Sequence, residues 1–351
     1  MTSKKKTRLR RLIAGMILLF VAVGTAGMFM AYTFIFKSNL DLKGRPSVHI
    51  YIPTGSTFVE VREQFIRDGI IRNMRSFTWM AEKKNYPRHV MPGRYLLHQD
   101  MGNNELINLL RSGKQDPVMV TFNNVRTKEQ LSGILSRQLE PDSLSIIRLL
   151  NDPAVLSDYG KNVHTIPLLF IPNTYEFFWD TSARQILDRM QREYQAFWNE
   201  TRQQRAGAMG FSPEEVGIIA SIVERETTRT DEMDRVAGVY INRLRRNMPL
   251  QADPTIIFAL GDFGITRVLT RHLAIDSPYN TYINRGLPPG PISFPEPGVI
   301  DKVLQYEDHD FLYFCARADL SGYHAFAETY GEHLINARKY HRALNERGIM
   351  N

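Results

Sequence analysis

The residue best placed for chemistry in this sequence is a glutamate that follows an apolar run. Ser212-Pro213-Glu214-Glu215 has serine at the N-cap, proline at the first helical position and glutamate at N3, a capping box that predicts where a helix begins. At about 100° per residue, the apolar side chains from Val216 to Val223 form an arc, and Glu226 falls within it. Apolar surroundings raise the pKa of a carboxyl group and suit it to donate a proton near neutral pH. We therefore predict that Glu226 is a general acid.

Glu224 lies two residues earlier, at the edge of the arc nearer the polar side of the predicted helix. Because residues i and i+2 of a helix point roughly 200° apart, Glu224 cannot readily form a catalytic dyad with Glu226. Three further positions are predicted to face away from the arc: Gly217, Ser221 and Arg225. Two structural interpretations of Glu226 stay open. It pairs with a buried arginine, or the helix ends before it because Thr227 and Thr228 disfavour continuation.

The histidines and the cysteine show no pattern of metal chemistry. The nine histidines contain no H-E-x-x-H or similar ligand pairing, and Cys315 is the only cysteine. Neither an intrachain disulfide nor a thiolate cluster can form, and Cys315 is predicted to be a small buried residue in a strand. We expect a reaction that uses no metal and no cofactor.

The positive charge is concentrated at the amino terminus. Most of the formal net charge of +7 comes from basic residues within the first eleven positions: Lys4, Lys5, Lys6, Arg8, Arg10 and Arg11. The remainder is close to neutral, so a nucleic-acid partner is not expected. Leu12 to Phe36 has no charged residue and is long enough for one transmembrane helix, with the basic tail in the cytoplasm and everything after Lys37 outside. A cleaved signal peptide is the alternative, which the length of the apolar run disfavours.

The remaining patterns predict an α+β protein with two folded domains. Strand, helix, helix and strand succeed one another between Val48 and Leu97, and a further helix is predicted with Asn103 or Asn104 as its N-cap and Gly113 as its stop. This βααβ unit has the size of the lysin-motif domains that bind glycans, although it could equally be a spacer. The predicted divisions are a tail at 1–11, a transmembrane helix at 12–36, a linker at 37–47, the small domain at 48–114, a connecting region at 115–165 and a larger mixed α+β domain at 166–345.

The larger domain begins with an aromatic-rich stretch from Ile166 to Trp179, predicted to be core, with the wall of a sugar-binding groove as the alternative. After the glutamate-bearing helix, a second helix is predicted, capped by Thr230 or Asp231, whose apolar face consists of Met233, Val236, Ala237, Tyr240 and Leu244. Loops rich in proline and polar residues follow at 277–282 and 286–292, and such rigid loops can hold polar groups towards a ligand. Phe311 to Phe314 is predicted to be a buried strand, and the last helix is predicted to begin near Tyr330.

Several ordered motifs resemble the MltG or YceG-like family of endolytic murein transglycosylases. The motifs are Ser221-Ile222-Val223-Glu224-Arg225-Glu226-Thr227, Ile241-Asn242-Arg243-Leu244, Leu250-Gln251-Ala252-Asp253-Pro254-Thr255, Tyr279-Asn280-Thr281-Tyr282 and Gly286-Leu287-Pro288-Pro289-Gly290. His324-Ala325-Phe326 and Glu332-His333 complete the match. The resemblance implies that Glu226 is the catalytic residue and that 166–345 is the catalytic domain. Two residues depart from the family's usual pattern, Asn173 in place of aspartate and Phe294 in place of asparagine.

The resemblance also implies the reaction, which is cleavage of the β-1,4 bond between N-acetylmuramic acid and N-acetylglucosamine within a strand, leaving a 1,6-anhydro end. Seven further polar residues at motif positions are candidates for substrate binding, with loop or helix-end hydrogen bonding as the alternative for each: Glu224, Asn242, Gln251, Asp253, Tyr279, Asn280 and His333. Peptidoglycan strands are the expected partner, together with cell-wall synthesis proteins. A scaffold without catalysis and a peptidoglycan hydrolase are the competing functions.

Overall fold

The computed structural model describes residues 3–347, and its contacts divide the chain into two compact units. The first unit contains everything up to Val118 together with Glu176–Asp180. The second contains Met119–Tyr175 and everything from Thr181 onwards. Helices and strands are mixed in both units, which confirms the predicted α+β class.

The first element is the long helix α1 (Ser3–Phe36). Its segment from Arg10 to Phe36 is long and apolar enough to cross a membrane, and its side chains are exposed over most of that length. The carbonyl of Phe34 accepts a hydrogen bond of 2.8 Å from Asn103 Nδ2, and Ile35 packs against the core of the first unit. The end of the apolar helix is therefore fixed to the folded unit that follows it.

The first unit has the predicted strand–helix–helix–strand order. Its elements are β1 (Ser47–Ile52), α2 (Phe58–Asp68), α3 (Met74–Lys83), β2 (Gly93–His98) and α4 (Asn103–Ser112). The two strands pair antiparallel, with Ser47 opposite His98 and Ile52 opposite Gly93. A capping box at Thr57 begins α2, and Gly69 ends it in the left-handed conformation that glycine adopts without steric cost.

Two details of the first unit differ from expectation. Gly102, rather than Asn103 or Asn104, is the N-cap of α4, because the side chain of Asn103 is buried and donates to Phe34 and to Ser76 Oγ. The segment predicted as a linker also contributes Leu40 and Leu42 to the core, where both are almost fully buried. A protein cut at Asp41 would lose part of this core.

The rest of the chain contains two pairs of strands and ten helices within the described residues. The elements are β3 (Val118–Phe122), α5 (Lys128–Ser136), α6 (Ser143–Leu149), α7 (Pro153–Ser157), β4 (Asn173–Phe177), α8 (Ala183–Phe197), α9 (Glu200–Met209), α10 (Pro213–Glu226), α11 (Met233–Arg245), α12 (Asp253–Leu260), α13 (Pro297–Val303), β5 (Tyr313–Ala316), β6 (His324–Ala327) and α14 (Tyr330–Glu346). β3 pairs with β4, and β5 pairs antiparallel with β6. The helices of the second unit form the core that holds α10.

The aromatic-rich stretch supplies core residues, as its default interpretation predicted. Phe170 and Tyr175 are buried, and both rings contact Phe122, with centroid distances of 6.3 Å and 5.5 Å. Trp179 belongs to the first unit and packs edge-on against Tyr51 at 5.1 Å. In each unit these aromatic rings therefore pack against other rings.

Helix α10 begins at Ser212 with the predicted capping box, but it is not amphipathic in its surroundings. Every residue from Val216 to Val223 is buried, including Gly217 and Ser221 on the side predicted to face away from the apolar arc. The reason is tertiary packing, because other segments cover the helix on all sides. Ser221 Oγ, for example, accepts from the Ile292 main chain at 3.0 Å.

Two predicted boundaries near the end of the chain also shift. The N-cap of α11 is Glu232, rather than Thr230 or Asp231, and its carboxylate accepts from His324 N and contacts His324 Nδ1, both at 2.9 Å. Strand β5 begins at Tyr313 and is half-buried, because it has β6 as its one strand partner. Cys315, in that strand, is half-buried as well.

Candidate active site

Glu226 is the last helical residue of α10, and Thr227 continues the chain in extended conformation. Its carboxylate oxygen Oε2 accepts a hydrogen bond of 2.8 Å from the hydroxyl of Tyr240, which lies on α11. The residue as a whole is partly exposed, and its carboxyl group is packed against protein. One structural interpretation required the helix to end before Glu226, but the helix ends after this residue.

Burial raises the pKa of Glu226. The hydrogen bond from Tyr240 lowers it, the charge of Asp253 raises it, and His324 and Arg243 lower it, but desolvation dominates. The carbonyl end of a helix also disfavours negative charge at this position. The carboxyl group therefore has the property predicted for a general acid, a proton retained above the usual range of glutamate.

Within residues 3–347, no arginine or lysine forms an ion pair with Glu226 within 4.0 Å, although Arg243 acts on it at longer range. The guanidinium of Arg243 donates hydrogen bonds to the carbonyls of Leu312 at 2.6 Å and Leu250 at 2.9 Å, and not to Glu226. This geometry disfavours the interpretation of Glu226 as half of a buried ion pair. Arg243 instead supports the loops that surround the site.

Tyr240 is a residue of the site that the sequence interpretation placed only on the apolar face of its helix. It is almost fully buried, and burial raises its pKa well above the usual range, so it remains a neutral donor to Glu226. Its ring packs edge-on against Phe314, with the centroids 5.9 Å apart. A tyrosine on an apolar face, with a hydroxyl that needs a partner, was the only signal in the sequence.

The side chain of Glu224 is more buried than predicted. Its carboxylate accepts from Ser293 Oγ at 2.8 Å and from the main chain of Glu296 at 3.0 Å. Burial raises the pKa of Glu224, and those two hydrogen bonds partly offset the effect. The prediction of a more polar side is wrong, because the segment from Ser293 to Glu296 covers this face of α10.

Asp253 and Gln251 lie at the start of α12 and just before it. Asp253 accepts a hydrogen bond from the hydroxyl of Tyr282, and its charge acts on Glu226. Gln251 adopts a positive φ of 50°, and its side-chain oxygen accepts from Arg243 at 3.3 Å. The structure thus brings Asp253 and Tyr282 to the site directly and Gln251 through Arg243.

Two predicted binding residues use their side chains to hold loops. Asn242 donates to the main-chain oxygens of His309 and Phe311, at 2.6 Å and 3.2 Å. Asn280 is fully buried and donates to the carbonyls of Leu273 and Ile275, both at 2.9 Å. Asn280 therefore shapes the loop that carries Tyr279 and Tyr282 and does not itself reach the surface.

The last two predicted residues lie among aromatic rings. Tyr279 packs against Phe258 with centroids 4.8 Å apart, and burial raises its pKa to about 12. His333 stacks on Tyr313 at 5.6 Å, and its buried Nδ1 forms no hydrogen bond with the described residues. Burial lowers the pKa of His333, so its imidazole is neutral at neutral pH.

The two departures from the family pattern occupy different surroundings. Asn173 begins β4 and accepts from the main chain of Thr174 at 2.8 Å, on an exposed surface. Phe294 is fully buried and packs edge-on against Phe170 at 6.2 Å. Phe294 is thus a core residue.

The site contains no metal-binding cluster, since no group of three or more His, Cys, Asp or Glu in the described part of the chain is arranged to hold an ion. What the arrangement can do is acid–base chemistry. It offers one carboxyl group that retains its proton, a neutral tyrosine that orients it, and a second carboxylate, Asp253, nearby.

Comparison with known proteins gives a consistent result. The family model of the YceG-like family matches residues 50–339. An endolytic murein transglycosylase of Bacillus subtilis is 28% identical over 324 residues, covering 88% of this chain and 89% of that protein. One of Streptococcus pneumoniae is 27% identical, covering 85% of this chain and 60% of that protein. The crystal structure of a YceG-like protein from Listeria monocytogenes aligns with a TM-score of 0.54 at 27% identity, covering 82% of this chain and 98% of that one.

Proposed function

The chain belongs to the YceG-like family, and from this premise we propose that it is a membrane-anchored endolytic peptidoglycan transglycosylase with Glu226 as its catalytic residue. The observation that carries the proposal is the Glu226 carboxyl group, which has a raised pKa, a single hydrogen bond from Tyr240 and no ion pair among the described residues. Two relatives that align over most of this chain are named endolytic murein transglycosylases.

One carboxyl group suffices for the proposed reaction. Protonated Glu226 donates its proton to the glycosidic oxygen as the bond from the muramic acid C1 breaks. The resulting carboxylate then takes the proton of the muramic acid 6-hydroxyl, whose oxygen attacks C1. A 1,6-anhydro end forms without water, and Glu226 is protonated again. Tyr240 holds the carboxyl group in place through both steps.

A peptidoglycan hydrolase is the second candidate, and Asp253 is the observation that favours it. Glycoside hydrolases pair an acid with a second carboxylate, which acts as nucleophile or activates water. Asp253 lies near enough to raise the pKa of Glu226. Its hydrogen bond from Tyr282 occupies one of its oxygens and leaves acceptor capacity on the carboxylate.

The products separate these functions. Full-length protein in detergent is incubated with purified wall glycan, and the fragments are weighed. Anhydro ends support the transglycosylase, whereas ends heavier by one water support the hydrolase. The absence of any fragment would favour a scaffold that binds the wall, or wall-synthesis proteins, without cutting it.

We also propose that α1 is a single-pass anchor in the cytoplasmic membrane. The basic residues that precede the apolar segment support a cytoplasmic amino terminus and an external body. A reporter that works only in the cytoplasm, fused after the last residue, should therefore be inactive. An active fusion would show that the orientation, and with it the wall substrate, is wrong.

For the first unit we propose a lysin-motif-like role in holding glycan. Its support is the order β1, α2, α3, β2 around one small core. A spacer is the alternative function for the same order of elements. Full-length Glu226→Gln protein should bind insoluble wall glycan, and substitutions on the exposed surface of this unit should weaken that binding if the unit holds glycan.

A further inference from the structure

A small pocket lined by two arginines lies in the second unit and is not used by the proposed chemistry. Its volume is about 50 Å³, and Arg126, Arg225, Pro254 and Phe263 are among its lining residues, none of which is acidic. We refer to it as the arginine pocket. A pocket of this size holds a carboxylate or a few waters and excludes a sugar ring.

The arginine pocket adjoins the candidate active site along two helices. Arg225 directly precedes Glu226 at the end of α10, and Pro254 directly follows Asp253 at the start of α12. The pocket therefore lies beside the two chain segments that carry Glu226 and Asp253.

Arg225 has more hydrogen-bond donors than acceptors around it. Its side chain is 13% exposed. Nη1 donates to Asn124 Oδ1 at 2.8 Å, but Nε and Nη2 are buried and have no hydrogen-bond partner among the described residues. Nη2 lies 3.5 Å from Glu224, whose carboxylate already accepts from two other groups. Buried donors are usually satisfied in folded proteins, so these two nitrogens are available to a ligand that accepts hydrogen bonds.

Arg126 adds a second positive charge to the same pocket. Its guanidinium lies over the ring of Phe263, 5.1 Å from the centroid, and forms no ion pair with the described residues. Burial lowers the pKa of Arg225 most, the charge of Glu224 raises it, and the charge of Arg126 lowers it. Among the described residues these two guanidinium groups form one ion pair, that of Arg225 with Glu224, so the charge of Arg126 is left to attract a bound anion.

We propose that the arginine pocket binds a carboxylate of the glycan substrate, an inference that rests on the proposed function and assigns a second recognition point to its site. A carboxylate supplies two acceptor oxygens in the plane that guanidinium groups match. Peptidoglycan offers two sources, the carboxylates of the peptide stem and the lactyl carboxylate of a muramic acid that lacks a stem. A glucosamine-only glycan offers neither.

The test compares three soluble ligands by calorimetry with the full-length protein in detergent. The ligands are the muramic acid disaccharide with its stem, the same disaccharide with a free lactyl group, and N,N′-diacetylchitobiose. At least one carboxylate ligand should bind about tenfold or more tightly than chitobiose, and which one does so identifies the source of the carboxylate. Equal affinity for all three would overturn the inference.

The protein variants are Arg126→Gln and, as a matched control, Arg245→Gln. Arg245 also lies over an aromatic ring, that of Tyr306, but it does not line the pocket. Arg126→Gln should lose the preference for the carboxylate ligand, and Arg245→Gln should keep it. The inference fails if Arg126→Gln keeps the preference, if it weakens all three ligands alike, or if the control loses the preference as well.

Cleavage of wall glycan by the same preparations separates this inference from the proposed function. A parent protein that prefers carboxylate ligands but cuts no glycan supports the pocket and refutes the enzyme. A parent protein that cuts glycan and shows no such preference refutes the pocket and leaves the enzyme intact.

Discussion

The last turn of α10 carries two carboxyl groups that have different hydrogen-bond partners. Burial raises the pKa of both Glu224 and Glu226. Glu224 accepts from Ser293 and from the main chain of Glu296, whereas Glu226 accepts only from Tyr240 among the described residues. A carboxyl group exchanges a proton with a ligand only through a lone pair that the fold has not used. Desolvation raises the pKa of both carboxyl groups and therefore does not by itself identify the general acid. The acceptor capacity that the fold leaves unused on Glu226 distinguishes it from Glu224.

The largest effect that this comparison predicts is loss of catalysis in Glu226→Gln. The amide keeps the shape of the side chain and can still accept from Tyr240, but it cannot donate and recover a proton. Glycan cleavage should fall by about 10²–10⁴-fold, the usual contribution of a general acid–base group. Release of anhydro ends, followed by mass spectrometry, measures the effect.

Thermal unfolding of the same preparations provides the control. Glu226→Gln should melt at or above the parent temperature, because a neutral amide is no costlier to bury than an acid that retains its proton. If Glu226 were half of a buried ion pair, the substitution would cost about 3–5 kcal/mol and lower the melting temperature. A variant that melts normally and cuts at the parent rate would remove the catalytic assignment.

Tyr240→Phe should have the next largest effect. Losing a hydrogen bond to a charged group costs about 1.5–3 kcal/mol, which corresponds to roughly 10–100-fold in kcat/KM if the bond is made in the transition state. The hydrogen bond from Tyr240 lowers the pKa of Glu226, so removing it raises that pKa. The alkaline limb of the pH–rate profile, where Glu226 loses its proton, should therefore move to higher pH.

Tyr306→Phe is the matched control, because it removes a tyrosine hydroxyl that contacts Arg245 at 3.1 Å, a contact that does not involve Glu226. It should leave the pH profile in place. If both variants lose activity while the profile of Tyr240→Phe does not move, Tyr240 has only a packing role.

Glu224→Gln should act mainly on stability. The amide nitrogen cannot accept, so one of the two donors, Ser293 Oγ or the main chain of Glu296, loses its acceptor. The expected cost is about 1–3 kcal/mol in the free energy of unfolding, measured by urea titration. Activity should fall by less than about tenfold at a temperature where the variant is folded, since Glu224 carries no proton in the proposed reaction. A loss as large as that of Glu226→Gln would end the distinction between the two carboxyl groups.

The sequence predicts the start of α10 well and its surroundings poorly. The capping box at Ser212 depends on four neighbouring residues, so its geometry is local and the helix phase follows from it. The partners of Glu224 are 69 and 72 positions away, and no periodicity within the helix can reveal a segment that arrives from there. The sequence therefore predicted Glu224 to lie nearer a polar side of the helix, whereas the segment from Ser293 to Glu296 covers it there.

The same limit explains Tyr240 and the N-cap of α11. The sequence predicts the helix and its apolar face, but the hydroxyl of Tyr240 reaches Glu226 only through the packing of two helices. Glu232 departs from the ordinary capping pattern because its carboxylate contacts His324, which is 92 positions away. Functional contacts of this kind combine residues from several elements, whereas the position of Glu226 within the apolar arc follows from one helix and could be predicted before the family resemblance was considered.

The smallest predicted effect is a change in how stability depends on pH. The pKa of Glu226 is higher in the folded protein than in the unfolded chain, so the folded state binds this proton more tightly. The parent therefore has the full contribution of this group below the unfolded pKa of about 4.3, and it loses that contribution as pH rises through the folded value. Glu226→Gln has no such proton to lose. As pH rises from about 4, the free energy of unfolding of Glu226→Gln should therefore increase relative to that of the parent. The increase should be about 1.4 kcal/mol for each pH unit between the unfolded and the folded pKa of Glu226, and above the folded pKa the difference should stay constant. Urea titrations of both proteins across that range measure the difference. A difference that instead moves against the variant as pH rises would show that the fold stabilises the charged form of Glu226, and a carboxyl group of that kind is a poor proton donor at neutral pH.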